Sequence, residues 1–385
     1  MNLGVTEERG FRCASALVWA QSSFGHRMAG CKARFRRLVP LQEARPDLPL
    51  RTLFHAGPPY RGARPEAVIT AAAQAAVIAG WADTVAAARG LLEAGDLSLA
   101  PAQDHGLAVP LAMVVAPAMW CVEVGDDSGV FHSPMSEGPA PALRFGSGAP
   151  ECVARARDWC AQAAAVINPR LARLPPVKEL IDAALARGDE CHAITAAGNL
   201  LFVEALGDIP ETLRADLLGN PGFALGIWMA WAGWKLRSGA SRIEAIGGNG
   251  LDFGWRPRGA TDWLTVEAPS PSGSIFKPDR ADHCLGAIGD SALVDICGLG
   301  GQSLRFAPKL VEEWSAVLPA DVQTRQQRIL DADTGVVDVS RVIETDTGPI
   351  VNLAMVDREG AAAPIGRGVY VVPAGLFKTG NEAWI

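Results

Sequence analysis

Polar residues gather at glycine-rich turns in this chain, and a few of those clusters hold the residue types a small-molecule site needs. Gly188-Asp189-Glu190-Cys191-His192 offers a carboxylate and an imidazole two residues apart, groups that move protons near neutral pH. That spacing keeps Glu190 and His192 off a common helical face, which argues against a paired metal site. His192 and Asn199, seven apart, share a face if the segment is helical. The plain alternative is a capped helix with a surface glutamate and a satisfied histidine.

A second cluster, Gly247-Gly248-Asn249-Gly250-Leu251-Asp252-Phe253-Gly254, sets Asn249 and Asp252 on a pliant backbone, and Arg256 follows. Glycine lets backbone N–H groups approach an anion, and arginine adds a planar fork for carboxylate or phosphate. The alternative is a tight hairpin with Asn249 and Asp252 as turn formers. Gly289-Asp290-Ser291 precedes an apolar stretch, and Gly298-Leu299-Gly300-Gly301-Gln302-Ser303 follows it. Asp290 or Ser291 can cap a helix start that attracts an anion, and Gly300 and Gly301 offer bare amides. Ser303 occupies the last glycine position of a dinucleotide fingerprint, so nicotinamide binding is disfavoured. His55 closes an apolar strand before Gly57-Pro58-Pro59, and His105 follows Asp104. Zinc-finger spacing, HExxH, a nucleophile elbow and a phosphate-binding lysine loop are all missing, so neither metal nor cofactor is expected.

Positioning these groups calls for an α/β (α+β) protein of several domains. The sequence divides into an atypical N-terminal arm over 1–50, an α/β unit over 51–150, a mainly helical unit over 151–240, and an α+β unit with glycine-rich turns over 241–385. Residues 1–37 carry seven basic residues against Glu7 and Glu8 and no usable hydrophobic period. Strands are expected at 51–55, 97–99, 109–115 and 120–124, with 130–131 and 143–145 pairing near Gly125-Asp126-Asp127. A helix is expected over 65–88, started by Pro65. The helical unit reads as 151–167, 176–186, a helix capped by Asp189 and running to 206, then 212–218 and 222–237. The last carries Trp228, Trp231 and Trp234, most simply core. Strands follow at 243–246, 251–255 and 263–267, a helix at 304–317, and strands at 336–342, 350–356 and 369–372.

Composition narrows the function classes. The 385 residues are 49% hydrophobic and 20% charged, enough to bury substantial cores. A net charge of −7 argues against non-specific nucleic-acid binding, and the basic N-terminus lacks interleaved aromatics. The longest near-apolar run, 109–122, is broken by Pro110 and Pro117 and falls short of the roughly 18–20 residues of a membrane span. Eight cysteines without a CxxC fit reduced thiols, and acidic residues stand where a secretory signal is basic, so a cytoplasmic location is expected.

Taken together, the motifs resemble the AllG (YlbE-like) family. The likeness rests on Leu53-Phe54-His55-Ala56-Gly57-Pro58-Pro59, Asp104-His105 before Ala108-Val109-Pro110, Pro134-Met135-Ser136-Glu137-Gly138 and Leu143-Arg144-Phe145-Gly146. It continues through Gly188-Asp189-Glu190-Cys191-His192, Asn249 to Gly254, Trp263 to Pro269, Gly289-Asp290-Ser291-Ala292 and Gly298-Leu299-Gly300-Gly301. Departures are Asp104 in place of a histidine, Ala193 in place of an asparagine, Gly248 in place of a basic residue, and no Thr-Gly after Asn352. The resemblance implies a subunit of an oxamate carbamoyltransferase that works with other subunit types, with homo-oligomerisation also open. Phosphate would attack the ureido carbonyl of oxalurate, giving carbamoyl phosphate and oxamate. In that reaction His55, His105, His192 or Glu190 can supply the proton. Asn249, Asp252, Arg256, Asp290, Ser291, Gly300 and Gly301 can hold the anions or the oxyanion. A stand-alone amidohydrolase and a non-catalytic structural subunit are the alternatives.

Overall fold

The computed structural model describes residues 32–361 and 364–378. Among the described residues the first strands are β1 (Arg34–Pro40), β2 (Thr52–His55), β3 (Ser98–Pro101), β4 (Val114–Val115), β5 (Trp120–Asp126) and β6 (Gly129–Pro134). After a helical stretch come β7 (Ile243–Asn249), β8 (Asp252–Pro257), β9 (Leu264–Glu267) and β10 (Ser272–Ile275). β11 (Ile288–Gly289), β12 (Ile350–Met355) and β13 (Gly366–Val371) complete them. They form four small sheets, ordered β1-β5-β6, β3-β2-β4, β11-β7-β8-β9 and β10-β13-β12. Helices and small sheets are thus mixed in an α+β fold, with β2–β3 a parallel pair.

One core joins the β1-β5-β6 sheet to the helices, and a second lies under the Glu66–Ile78 helix and β2. The Phe223–Ser238 helix is apolar around nearly its whole circumference, as a helix enclosed by protein must be. Trp228 and Trp231 are sealed in it, and it packs on β5 and β6. Gly233 makes that approach feasible: a Cβ there would lie 2.3 Å from the Phe131 ring.

Several elements differ from the sequence reading, each for a local reason. Residues 34–40, assigned to the N-terminal arm, form β1 against β5, with Phe35, Leu38 and Val39 in the core. A bulge between Phe35 and Arg37 breaks the alternation and hides the strand from a period-two search. The basic residues of 1–31 lie outside the described residues. The helix expected over 65–88 is two, Glu66–Ile78 and Val85–Glu93, parted at Gly80 in the left-handed region and restarted by Thr84, whose hydroxyl accepts from Ala87 N–H.

The 109–115 strand shrinks to β4, and 143–145 is a 3₁₀ turn and not a strand. The partner of β5 is the whole of β6. Of 304–317, only Pro308–Glu313 is α-helix, after a 3₁₀ turn at Leu304–Phe306. Residues 336–342 are not a strand. Val339–Thr345 is helical because the Asp338 carboxylate accepts from Ser340 N–H and Arg341 N–H, a cap that outweighs the β-branched residues. Asp189 does not start its helix directly. The helix spans Ala196–Leu206, and Asp189 reaches across the intervening loop to accept from Ala197 N–H (3.1 Å) and Gly198 N–H (2.7 Å).

Candidate functional site

That intervening loop is where the chemistry concentrates. Residues 190–195 leave the Val177–Ala186 helix and hold Cys191 at φ +70°. The loop wraps around the Glu190 carboxylate, which accepts from His192 N–H (3.2 Å), Ala193 N–H and Ile194 N–H (2.9 Å). Asn352 Nδ2 on β12 donates to the same carboxylate at 3.0 Å. Burial raises the Glu190 pKa, opposed by the His192 charge and these donors.

The loop turns His192 toward the short Ala292–Ile296 helix. There its Nδ1 meets Asp295 Oδ2 at 2.8 Å, both groups buried. Burial alone would lower the His192 pKa, but the Asp295 charge and hydrogen bond outweigh it and the pKa is raised. Asp295 is fixed in turn by Gly301 N–H (2.7 Å) and Asn352 N–H (3.2 Å) on its Oδ1. Gly300 has no room for a side chain: a Cβ there would lie 2.2 Å from Asp295 Oδ1 and 3.0 Å from His192 Cβ.

His192 lines a cavity of about 290 Å³. With Nδ1 taken by Asp295, Nε2 is the nitrogen left to a ligand. Ser136, Glu137, Arg144, Ser291 and Arg367 supply its other polar walls. Arg144 is buried, and its guanidinium donates to Ser136 Oγ (3.0 Å) and Gly138 O (2.7 Å) beside the Phe145 ring. Burial lowers its pKa, opposed by the Glu137 charge. Ser136 and Asn220 are tied by two hydrogen bonds, and Asn199 Nδ2 donates to Asn220 O, so the cavity wall is anchored to both following helices. Glu137 Oε2 and Ser291 Oγ are buried without partners.

Of the candidates read from the sequence, His192 and Ser291 line this cavity. Glu190 stands behind it as the clamp of the His192 loop. Gly300 and Gly301 stand behind it too, their amides donating to Glu190 O and Asp295 Oδ1, so neither N–H is free for an oxyanion. His192 and Asn199 do not share a helical face, since His192 precedes the helix. Asn199 instead holds Asn220 O and Ala224 N–H.

Asp290, His55 and Asn249 form a second cluster at the other end of the 290–295 segment. Asp290 accepts from Gly57 N–H (2.8 Å), Val109 N–H (2.8 Å) and Gln103 Nε2 (2.6 Å), so it is not a helix cap. Burial pushes its pKa up to about 7 against those donors. Asn249 Nδ2 donates to Pro58 O, and Tyr60 OH donates to Asn249 O, which pins the turn after His55 onto β7. The His55 ring packs on Tyr60, and burial lowers its pKa to about 4.

Asn249 Oδ1 also accepts from Leu251 N–H and Asp252 N–H, so the 247–254 motif is the tight hairpin between β7 and β8. Asp252 is half-buried in that hairpin. Arg256 is engaged by Asp104 and Glu244, each at 3.5 Å, and His105 packs at a tilt against the Phe54 ring; neither reaches the cavity. Sequence reasoning missed Glu137, Arg144 and Asp295. The first two stood in quoted motifs, and for Arg144 and Asp295 a charged residue flanked by apolar ones was the available signal.

Among the described residues no helix is long and apolar enough to cross a membrane. His283, Asp357 and Glu359 are the described grouping with metal-ligand reach, and Arg280 already pairs with Asp357 (2.7 Å) and Glu359 (2.9 Å).

The profile of the family described as oxamate carbamoyltransferase subunit AllG matches residues 97–291, just over half of the chain. Oxamate carbamoyltransferase subunit AllG of Escherichia coli (strain K12) is 26% identical over 376 residues, covering 86% of this chain and 89% of that protein. The uncharacterized protein YahG of the same strain is 22% identical, covering 88% of this chain and 80% of its own. A crystal structure of a conserved protein of unknown function from Enterococcus faecalis V583 superposes with a TM-score of 0.82. It is 24% identical and covers 91% of this chain and 93% of that one, a likeness of fold.

Proposed function

The chain belongs to the AllG family, and from that premise we propose that it is a subunit of a carbamoyltransferase-type enzyme acting on a ureido acid with phosphate. The observation that carries the reading is His192, its pKa raised through Asp295, opening on a cavity that also holds a buried arginine bonded to neutral oxygens. In the catabolic direction a phosphate oxygen bonds to the ureido carbonyl carbon. The bond from that carbon to the acid-bearing nitrogen then breaks, and the nitrogen takes a proton from His192 Nε2. The proton lost by phosphate resets the imidazole. Asp295 holds the ring in one orientation and stabilises its cation. Arg144 attracts the substrate carboxylate, and Ser291 Oγ–H is the unpartnered donor for the tetrahedral oxyanion. Partner subunits are part of this proposal.

Thermal melts of the purified chain with carbamoyl phosphate, phosphate, oxamate and oxalurate test it. A ligand at one hundred times its dissociation constant adds about 2.7 kcal/mol, enough for a clear rise in melting midpoint. Stabilisation by oxalurate or carbamoyl phosphate is the expected result. No stabilisation by any of them favours the structural-subunit reading. Turnover without phosphate would make the protein an amidohydrolase.

A further inference from the structure

The cavity's polar groups are few and each has a distinct vacancy. Arg144 is 7% exposed, bonded to two neutral oxygens, and paired with no carboxylate among the described residues. Glu137 is buried with Oε1 on Leu143 N–H and Oε2 without a donor. A cation in direct contact with neutral oxygens only, its charge partly offset by nearby Glu137, and an acceptor lacking an N–H therefore line one space. Much of the remaining wall is hydrocarbon: Leu111, Met113, Phe145, Leu225, Met229 and Leu353.

Oxalurate carries oxygen on every carbon and would set those atoms against an apolar wall, where unpaired polar groups lose affinity. From this mismatch we infer that the acid bound here carries an apolar side chain. Its class is an N-carbamoyl α-amino acid of the leucine or methionine kind. The carboxylate meets Arg144, the ureido N–H meets Glu137, and the side chain covers Leu225 and Met229. The inference rests on the carbamoyl-transfer reading for its ureido group. The carboxylate and the side chain follow from the cavity alone.

Titration calorimetry on the whole chain tests it with three ligands: oxalurate, N-carbamoyl-leucine and 4-methylpentanoate, which has the acid and side chain but no ureido group. N-carbamoyl-leucine is expected to bind at least about tenfold tighter than oxalurate, the factor that burying an isobutyl group supplies. Arg144→Met should abolish that binding. Leu225→Gln, at a half-buried position in that wall, should remove the preference for N-carbamoyl-leucine over oxalurate. Oxalurate binding as tightly as N-carbamoyl-leucine overturns the inference and leaves carbamoyl transfer standing. 4-Methylpentanoate matching N-carbamoyl-leucine keeps the apolar acid and overturns the ureido reading. No binding by any of the three overturns both.

Discussion

Replacing Asp295 by asparagine isolates the interaction that sets the state of His192. The carboxylate is fully buried and takes three hydrogen bonds, from His192 Nδ1, Gly301 N–H and Asn352 N–H. Asparagine keeps an oxygen for the two amides but turns an NH₂ group toward the imidazole and removes the charge. The charge-assisted bond lost is worth about 1.5–3 kcal/mol. Its dependence on pH is the sharper signature. A histidine whose folded pKa is raised stabilises the fold fully below its unfolded value of about 6.5, and loses that contribution as pH rises through the folded value. In the variant, burial acts with only the Glu190 charge against it, so the protonated ring disfavours folding at low pH. Denaturant unfolding of both proteins from pH 5.5 to 9 should show a stability gap that is widest at pH 5.5 and shrinks steadily toward pH 9. A gap that stays constant, or that grows on the alkaline side, would refute the coupling of Asp295 to a protonated His192.

Two further outcomes follow from the second cluster. Gly57 sits at φ +71°, and a Cβ there would fall 2.3 Å from the carbonyl carbon of Gly248, so Gly57→Ala should abolish soluble folded protein in a chromatography and melting assay. Asp290 has its pKa raised to about 7 by burial, so its contribution is complete below the unfolded value near 4 and is lost as pH rises through 7. Asp290→Asn sets an NH₂ against a backbone N–H of Gly57 or Val109, at a cost of about 1–3 kcal/mol. The deficit in unfolding free energy should therefore be larger at pH 5 than at pH 8.

Where local pattern decides structure, the sequence was readable. The tryptophan helix, the β7–β8 hairpin, β12 and β13 all lie close to where periodicity and glycine placed them. Elements set by one displaced contact were not. β1 hides behind a bulge, and Val339–Thr345 is helical through the Asp338 cap.

The site divides the same way. His192 and Ser291 were singled out by residue type beside glycine. Glu190 carries the right chemistry, but its four donors come from a loop and a strand 162 positions away, which no spacing rule reveals. Asp295 looked like one polar residue in an apolar stretch, and its role appears once Gly301, Asn352 and His192 converge on it.

The most direct measurement is the rate of carbamoyl phosphate formation by the assembled enzyme with His192→Gln in this chain, using N-carbamoyl-leucine and oxalurate with phosphate. A positioned acid contributes about 10²–10⁴ in rate, so turnover of the substrate that the wild type accepts should fall by that factor while the assembly stays intact, with a melting midpoint lowered by the lost bond to Asp295. Turnover equal to wild type in an intact assembly would place the chemistry on another subunit and make this chain a structural one.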